Sequence, residues 1–202
     1  MRILATGLAV LLTTSAFADR LISIPIGRKL RYKEFRLEGA FEPYQHGLFE
    51  SYFAGGISTA FDLEVRSQRF EGDPGYTTFD LSYNFLSPIA DLAPGISAGL
   101  LDVTNSTDDG RLAYLAITLR KTYITLDGDV PGDLTIGLTS GRRLQPFIGF
   151  SVPFSKNFRV IGEHNGFRMA GGVELGLGQG ISTRFFFRGQ QGFVSLRWTH
   201  SF

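Results

Sequence analysis

The last nine residues, Val194-Ser195-Leu196-Arg197-Trp198-Thr199-His200-Ser201-Phe202, alternate strictly between two kinds of side chain. Successive side chains of a β-strand point to opposite faces. One face of such a strand carries Val194, Leu196, Trp198, His200 and Phe202, and the other carries Ser195, Arg197, Thr199 and Ser201. The stretch therefore predicts a terminal strand with one largely apolar face and one polar face.

The same period of two recurs upstream, for example over residues 61–68, 79–85 and 115–120. Turn-forming groups such as Asn165-Gly166 separate these runs about every 10–15 residues, a spacing typical of antiparallel hairpins. We predict about twelve strands, within a range of 10–14, and no long helix. Their expected positions are near 32–42, 46–55, 58–70, 76–86, 95–103, 112–121, 133–140, 144–152, 157–164, 167–176, 180–188 and 192–202.

The first eighteen residues have the pattern of a secretory signal peptide. Arg2 precedes an apolar stretch over residues 3–12, and Ala16-Phe17-Ala18 is a small-x-small cleavage site. The apolar stretch is shorter than the roughly 20 residues that a membrane-spanning helix needs. We predict cleavage between Ala18 and Asp19, a lead segment over 19–31 whose conformation the pattern does not specify, and a barrel over 32–202.

Composition excludes several classes of protein. Without the first eighteen residues, which include Arg2, the remaining 184 residues carry 19 basic and 19 acidic side chains, whereas nucleic-acid binders are usually basic. We therefore expect no nucleic-acid partner. The sequence has no cysteine, so a secreted domain would have no disulfide bonds. Its 19 phenylalanines and 25 glycines are consistent with a large sheet rich in turns.

Alternation alone does not distinguish a soluble β-sandwich from a membrane barrel, because both have one apolar and one polar face. The terminal strand, however, resembles the C-terminal signature of Gram-negative outer-membrane barrels. That signature is an amphipathic strand ending in Phe, and the resemblance implies recognition by the barrel-assembly machinery. Trp198 and Phe202 would form this assembly signal, and His200, which departs from the usual apolar residue, would lie at the membrane interface.

These features together predict an all-β protein, a single antiparallel up-and-down transmembrane β-barrel in the cell outer membrane. Its apolar faces would contact lipid and its polar faces the lumen, with both chain termini on the periplasmic side. The largest outer loops would be 71–75, 104–111 and 122–132, although counting hairpins does not place all three at one end. The candidate lumen-facing side chains are Arg36, Glu38, Asp62, Glu64, Arg66, Asp80, Arg120, Glu174, Arg184 and Arg197.

Two short motifs resemble the exopolysaccharide-associated YjbH-like outer-membrane proteins. Pro94-Gly95-Ile96-Ser97-Ala98-Gly99-Leu100-Leu101-Asp102-Val103 is similar to an apolar strand of that family that ends in Asp. Ile161-Gly162-Glu163-His164-Asn165-Gly166 is similar to its Glu-Tyr-Asp-Gly hairpin, with His164-Asn165 in place of Tyr-Asp. The resemblance implies a role in exopolysaccharide export, but this chain is much shorter than typical members.

Catalytic and metal-binding patterns are weak. No G-x-S-x-G elbow is present, and the three histidines are His46, His164 and His200. Glu163-His164-Asn165 is the best catalytic candidate, and a solvated turn is the preferred interpretation. Asp127-Gly128-Asp129 with Asp133 lacks the rest of a calcium loop. We therefore predict no catalytic residues, no metal site and no cofactor.

Three hypotheses about function follow. The first is a non-enzymatic outer-membrane barrel, a channel or a component of envelope or exopolysaccharide export, with lipid, the assembly machinery and polysaccharide or small solutes as partners. The second is an outer-membrane enzyme of the lipase or deacylase type, which would need a histidine beside a serine and a carboxylate. The third is a soluble secreted β-protein used for binding, which would bury its phenylalanine-rich faces.

Overall fold

A computed structural model describes residues 20–44, 47–69, 75–141 and 143–202. The predicted cleavage site at Ala18 and Asp19, and His46, lie outside these residues. Within them, no helix has the length and apolar character needed to cross a membrane. The described residues form twelve strands: β1 (Glu34–Phe41), β2 (Phe49–Gly56), β3 (Phe61–Arg69), β4 (Tyr76–Leu86), β5 (Gly95–Leu101), β6 (Leu112–Thr125), β7 (Gly128–Ser140), β8 (Leu144–Pro153), β9 (Phe158–His164), β10 (Met169–Gly178), β11 (Ile181–Arg188) and β12 (Gln191–Ser201).

Each strand pairs antiparallel with the next one in the chain, and β1 pairs with β12 to close the sheet into a barrel. The closing register runs from Glu34 opposite Ser201 to Phe41 opposite Val194, so the start of β1 and the end of β12 lie at the same end of the barrel. The predicted fold class is therefore confirmed. The positions of the strands agree with those predicted from the sequence, apart from the extent of β6 and β7, because the period of two is present in nearly every strand.

The barrel carries its apolar side chains on the outside and its charged side chains on the inside. On β12, the exposed fraction is 59% for Leu196, whereas it is 2% for Ser195 and 3% for Arg197. A soluble β-sandwich would show the reverse, because its apolar face forms the core. The interior of this protein instead holds many buried charged side chains beside a smaller apolar cluster, and an apolar surface encloses it. This arrangement contradicts the hypothesis of a soluble binding protein.

One loop prediction was wrong. Residues 122–132, expected to form an outer loop, continue the ladder of β6 and β7 as far as the pair Thr125 and Gly128. A two-residue turn, Leu126-Asp127, connects them, and Gly128 adopts a positive φ of 111° that favours glycine. The chain therefore makes a long hairpin at the same end as the termini. Residues 104–111 do form a connection at the opposite end, and of 71–75 only Gly75 is described.

Residues 20–30 lie inside the barrel, and we call them the N-terminal plug. They belong to no strand of the wall; their one β-bridge, between Arg20 and Pro25, is internal. Ile24 is 2% exposed and Leu30 is 0% exposed, so the segment is shielded from water. The sequence did not specify this conformation, because the segment has no periodic pattern of its own and is shaped by the wall around it.

Candidate functional site in the barrel lumen

The ten predicted lumen-facing side chains all lie on the inner face of the wall. Arg66 and Arg120 are half-buried. The other eight are buried: Arg36, Glu38, Asp62, Glu64, Asp80, Glu174, Arg184 and Arg197. The closed sheet brings them together although they come from seven different strands. Ion pairs join at least eight of the ten into clusters, and two of these clusters include residues of the N-terminal plug.

The first cluster joins β1, β10, β11 and β12. The Glu38 carboxylate lies 2.9 Å from an Arg197 nitrogen and 3.4 Å from an Arg184 nitrogen, and it accepts a hydrogen bond of 2.8 Å from the Ser195 hydroxyl. Glu174 completes the cluster at 2.9 Å from Arg184 and 3.3 Å from Arg197. Two carboxylates therefore share two guanidinium groups, and each buried charge is compensated by its neighbours.

The second cluster holds the first residue of the plug. Arg20 lies 3.0 Å from Glu64 and also donates to Asp80, so one guanidinium bridges β3 and β4. Arg36 of β1 pairs with the same Glu64 at 3.2 Å, and Asp80 also accepts a hydrogen bond from the backbone of Asp102 at 2.7 Å. The plug therefore supplies a positive charge to the acidic part of the lumen.

The third cluster includes the second arginine of the plug. Asp133 of β7 accepts hydrogen bonds from Arg28 of the plug at 3.2 Å and from Arg120 of β6 at 2.8 Å. The Asp133 carboxylate that was considered as a calcium ligand is thus paired with two guanidinium groups. Among the described residues, no group of three or more His, Cys, Asp or Glu side chains is arranged to hold a metal ion.

Glu163 of β9 binds the backbone of the plug at three consecutive residues. Its carboxylate accepts hydrogen bonds from the N–H groups of Ile22 at 2.8 Å, Ser23 at 2.8 Å and Ile24 at 3.3 Å, and also from the Ser23 hydroxyl. Sequence reasoning singles out Glu163 only as part of a hairpin with His164. The alternation of side chains along the strand could have identified Glu163 as a lumen residue, because it places Glu163 inside the barrel and His164 outside.

Several other polar groups of the plug backbone also have partners on the wall. The Gly27 N–H donates to the Thr118 hydroxyl at 2.7 Å, and the Gly27 carbonyl accepts from Asn84 at 3.2 Å. The Ile26 carbonyl accepts from Ser97 at 3.0 Å, and the Leu21 carbonyl accepts from Arg184. Strands on opposite sides of the lumen therefore hold the plug, which crosses the interior of the barrel.

A fourth cluster, which the sequence did not single out, lies toward the end of the barrel opposite the termini. Both Arg188 terminal nitrogens donate to the two oxygens of Glu50 at 2.8 Å, and Tyr52 and Gln68 also donate to Glu50. The Arg188 guanidinium lies 4.9 Å from the centroid of the Phe193 ring, which stacks on Phe186. Charged and aromatic side chains therefore fill the lumen beyond the plug.

The histidine singled out as a catalytic candidate does not approach a serine. His164 is exposed, and its Nδ1 accepts a hydrogen bond from the backbone N–H of Gly166 at 3.2 Å. Asn165 accepts hydrogen bonds from the backbone of Phe167 and Arg168, as expected of a turn residue. The enzyme hypothesis gains no support from this hairpin.

Asp102 organises the connection between β5 and β6. Burial by itself would raise the pKa of its carboxyl, but hydrogen bonds from Ser106, Thr107 and Thr104 outweigh burial and hold the pKa below its usual value. The backbone N–H groups of Ser106 and Thr107 donate to it at 2.9 Å and 2.8 Å. The ionised carboxylate thus satisfies backbone groups that a connecting segment would otherwise leave to water.

We expect the order of residues 102–111 to depend on pH. A lowered folded-state pKa means that the carboxylate stabilises the loop above the unfolded pKa of about 3.9 and that this contribution is lost as pH falls through the folded value. The amide NMR shifts of Ser106 and Thr107 should therefore stay constant above about pH 5 and change below about pH 4. Asp102→Asn should abolish the transition and Asp108→Asn should leave it; a transition that persists in Asp102→Asn would contradict the assignment.

Comparisons with known proteins bear on the fold. No family model matches the chain, and no curated protein matches it, so the resemblance to YjbH-like proteins receives no support. The solved structures that it resembles include the KdgM porin, with a TM-score of 0.52 and 11% identity over 84% of this chain and 99% of that chain. They also include the NanC porin, with a TM-score of 0.47 and 10% identity over 83% of this chain and 98% of that chain.

A third similar structure is the N-terminal β-barrel domain of Pseudomonas aeruginosa OprF, with a TM-score of 0.29 and 17% identity over 85% of this chain and 100% of that chain. At these identities the likeness concerns architecture alone. The match to the KdgM porin spans nearly the whole of that porin, and its TM-score indicates a shared architecture. The described residues therefore form a closed twelve-stranded antiparallel β-barrel whose architecture matches that of porin-like outer-membrane barrels.

Proposed function

We propose that this protein is a non-enzymatic barrel of the outer membrane that acts as a channel and is held closed by its N-terminal plug. The observation that carries the proposal is the combination of an apolar exterior with a charged interior. A bilayer removes the cost of exposing apolar side chains, and a closed sheet leaves no unpaired backbone edge in lipid. A lumen lined by charged side chains is typical of a barrel that conducts water and solutes.

The apolar exterior extends around most of the barrel. Exposed apolar side chains come from β1 to β8 and from β10 to β12, at positions where the strand alternation points outward. They form a belt, which in water would be far larger than the apolar patches that soluble monomers expose. Representative members are Leu37, Phe53, Phe61, Phe79, Leu100, Leu115, Ile136, Phe150, Met169, Phe185 and Leu196.

Aromatic rings cluster at the end of the belt that carries the termini. Phe35 contacts Trp198 with ring centroids 5.3 Å apart, and it also contacts His200 and Phe202. Tyr83 contacts Phe61 of the neighbouring strand at 4.8 Å and Phe85 of its own strand at 4.7 Å. Aromatic girdles of this kind mark the membrane interface in outer-membrane barrels. Trp198 and Phe202 belong to this aromatic group. Their role as an assembly signal remains a prediction.

The finer role suggested by the YjbH-like resemblance, exopolysaccharide export, remains a prediction without independent support. Small solutes suit the structure better than a polymer. The plug and the cluster around Glu50 and Arg188 together leave little free space in the lumen, so a conducting state requires rearrangement of both. We therefore propose a channel whose resting state is closed.

Electrophoretic mobility and conductance test the proposal. We expect the full chain, expressed with residues 1–18, to enter the outer-membrane fraction and to migrate faster before boiling than after, because a closed barrel resists detergent until heated. In planar bilayers the purified protein should give rare, brief openings. A periplasmic location without a heat-dependent shift would contradict the membrane assignment, and a heat-shifted barrel that never conducts would contradict the channel.

A further inference from the structure

We propose that the N-terminal plug is an exchangeable peptide ligand of the lumen, and that the lumen is a binding site for a turn-forming peptide with guanidinium groups near both ends. The inference deepens the proposed function and rests on it where it concerns opening, because release of this ligand would be a required step in opening the channel. Four features of the structure support it.

The first feature is that the wall is complete without the plug. Every strand of the wall is hydrogen-bonded to two neighbours, and closure is made by β1 with β12. The plug forms no ladder with any of them. Side chains of the wall hold it through hydrogen bonds, ion pairs and apolar packing, and the Lys29 ammonium donates to the backbone carbonyls of Ser58 and Thr59 between β2 and β3. A segment that does not complete the sheet can leave without exposing a β-edge to lipid.

The second feature is that charge defines the two ends of the ligand. Arg20 pairs with Glu64 and Asp80 on β3 and β4, and Arg28 pairs with Asp133 on β7. The segment between the two arginines, residues 21–27, sets the spacing of their guanidinium groups. Charge-assisted hydrogen bonds of this type are directional and stronger than neutral ones, so they select for a basic residue at each end.

The third feature is recognition of the peptide backbone. Glu163 binds three consecutive N–H groups, and Asn84, Ser97 and Thr118 bind the backbone at Ile26 and Gly27. These contacts recognise the backbone conformation of the peptide rather than its side chains. The backbone that they hold bends back on itself, because Arg20 and Pro25 form a β-bridge and the Leu21 N–H donates to the Ile24 carbonyl at 3.1 Å.

The fourth feature is a close approach between two glycines. A Cβ atom on Gly27 would lie 2.7 Å from the Gly95 carbonyl oxygen and 2.9 Å from the Thr118 backbone nitrogen, both of which belong to the wall. A side chain at position 27 therefore prevents the plug from seating, while every residue of the wall remains as it is. A single substitution at position 27 can therefore displace the ligand while leaving the binding site unchanged.

The test uses the full chain with Gly27→Val, folded in lipid vesicles, and a fluorescent synthetic peptide that reproduces residues 20–30. We expect saturable binding of the peptide to the variant, at least tenfold tighter than to the unaltered protein, in which the tethered plug competes at high effective concentration. A peptide that carries the same Gly27→Val substitution should bind at least tenfold more weakly. In bilayers, the variant should conduct more often, and the wild-type peptide should close it.

Gly55→Val is the matched control, because a Cβ atom on Gly55 meets nothing within 4 Å. This control should keep the heat-dependent shift and bind no more peptide than the unaltered protein does. Adding Glu163→Ala to Gly27→Val should weaken peptide binding at least tenfold. If Gly27→Val does not fold, the double substitution Arg20→Ala with Arg28→Ala provides a second way to loosen the plug, and it should increase exchange with the peptide.

The outcomes separate the two proposals. A heat-shifted Gly27→Val barrel that binds no peptide and conducts no more than the unaltered protein would overturn the exchangeable ligand. Equal binding of the wild-type peptide and the Gly27→Val peptide would overturn it as well, because the contact at Gly95 would then not define the site. Peptide binding without conductance in any variant would uphold the binding site and remove the channel function.

Discussion

Replacing Glu38 with alanine should lower the free energy of unfolding by about 3–5 kcal/mol, because the change leaves two buried guanidinium groups with one shared carboxylate, Glu174, in place of two. Arg184 and Arg197 are 4% and 3% exposed, so water cannot readily take over from the carboxylate. The Ser195 hydroxyl also loses its acceptor. The loss is large because one buried charge is removed and its partners remain, whereas removal of a complete ion pair often costs little.

Urea titration of the barrel in lipid vesicles, followed by tryptophan fluorescence, measures this loss, since Trp198 is the one tryptophan. The double variant Glu38→Ala with Arg197→Ala is the matched control. Its destabilisation should be less than the sum of the two single effects by about 0.5–3 kcal/mol, as expected for residues in one network. Strict additivity, or a loss below about 1 kcal/mol for Glu38→Ala, would show that the cluster does not contribute to stability as the structure indicates.

Replacing Leu196 with arginine should destabilise the barrel in lipid by about 2–4 kcal/mol, because this side chain points outward near the middle of β12. Leu196 is opposite Gly39 in the closing pair of strands, and its neighbour Arg197 points inward. In a bilayer the new guanidinium would lie in hydrocarbon. On a water-facing surface the same substitution would change stability by no more than about 0.5 kcal/mol.

The matched control is His200→Arg, which places the same charge on the same face at the end of the strand. The cost there should be about 0–1 kcal/mol, because arginine near the interface reaches the headgroups. The difference between the destabilisation at position 196 and that at position 200 reports how much deeper position 196 lies in the membrane. Equal, small effects at both positions would mean that the outer face of β12 is in water, and the membrane location would then be wrong.

These two substitutions examine opposite faces of the same pair of strands. Glu38 is opposite Arg197 inside the barrel, and Gly39 is opposite Leu196 outside it. Shifting the register by one residue would exchange the two faces completely. If Glu38→Ala and Leu196→Arg both destabilise the barrel as expected, the two results together also establish the register by which β1 and β12 close the sheet.

The fold could be predicted from the sequence because its signal is local. Each strand contains its own period of two, and a run such as Leu115 to Arg120 indicates a strand without reference to its partners. Closure followed from the physical requirement that no sheet edge be exposed to lipid. The inward position of Arg36, Glu38 and the other charged residues followed from the same alternation, although their pairing did not.

The partners of these residues depended on the tertiary structure, because they are distant in sequence. The contact between Ile22 and Glu163 joins residues 141 positions apart, and that between Arg20 and Asp80 joins residues 60 apart. No spacing rule predicts such pairs. The cluster of Glu50 with Arg188 was missed for the same reason, and the extension of β6 and β7 was missed because polar residues interrupt their alternation.

The sequence by itself thus determined the strands, their two faces and the class of fold, since these follow from the chemistry of neighbouring residues. Only the tertiary structure decided that residues 20–30 occupy the lumen. Those residues have no alternation to reveal a strand and no helical period, and their polar groups find partners only after twelve strands have closed around them. The conformation of the plug is therefore a property of the finished barrel.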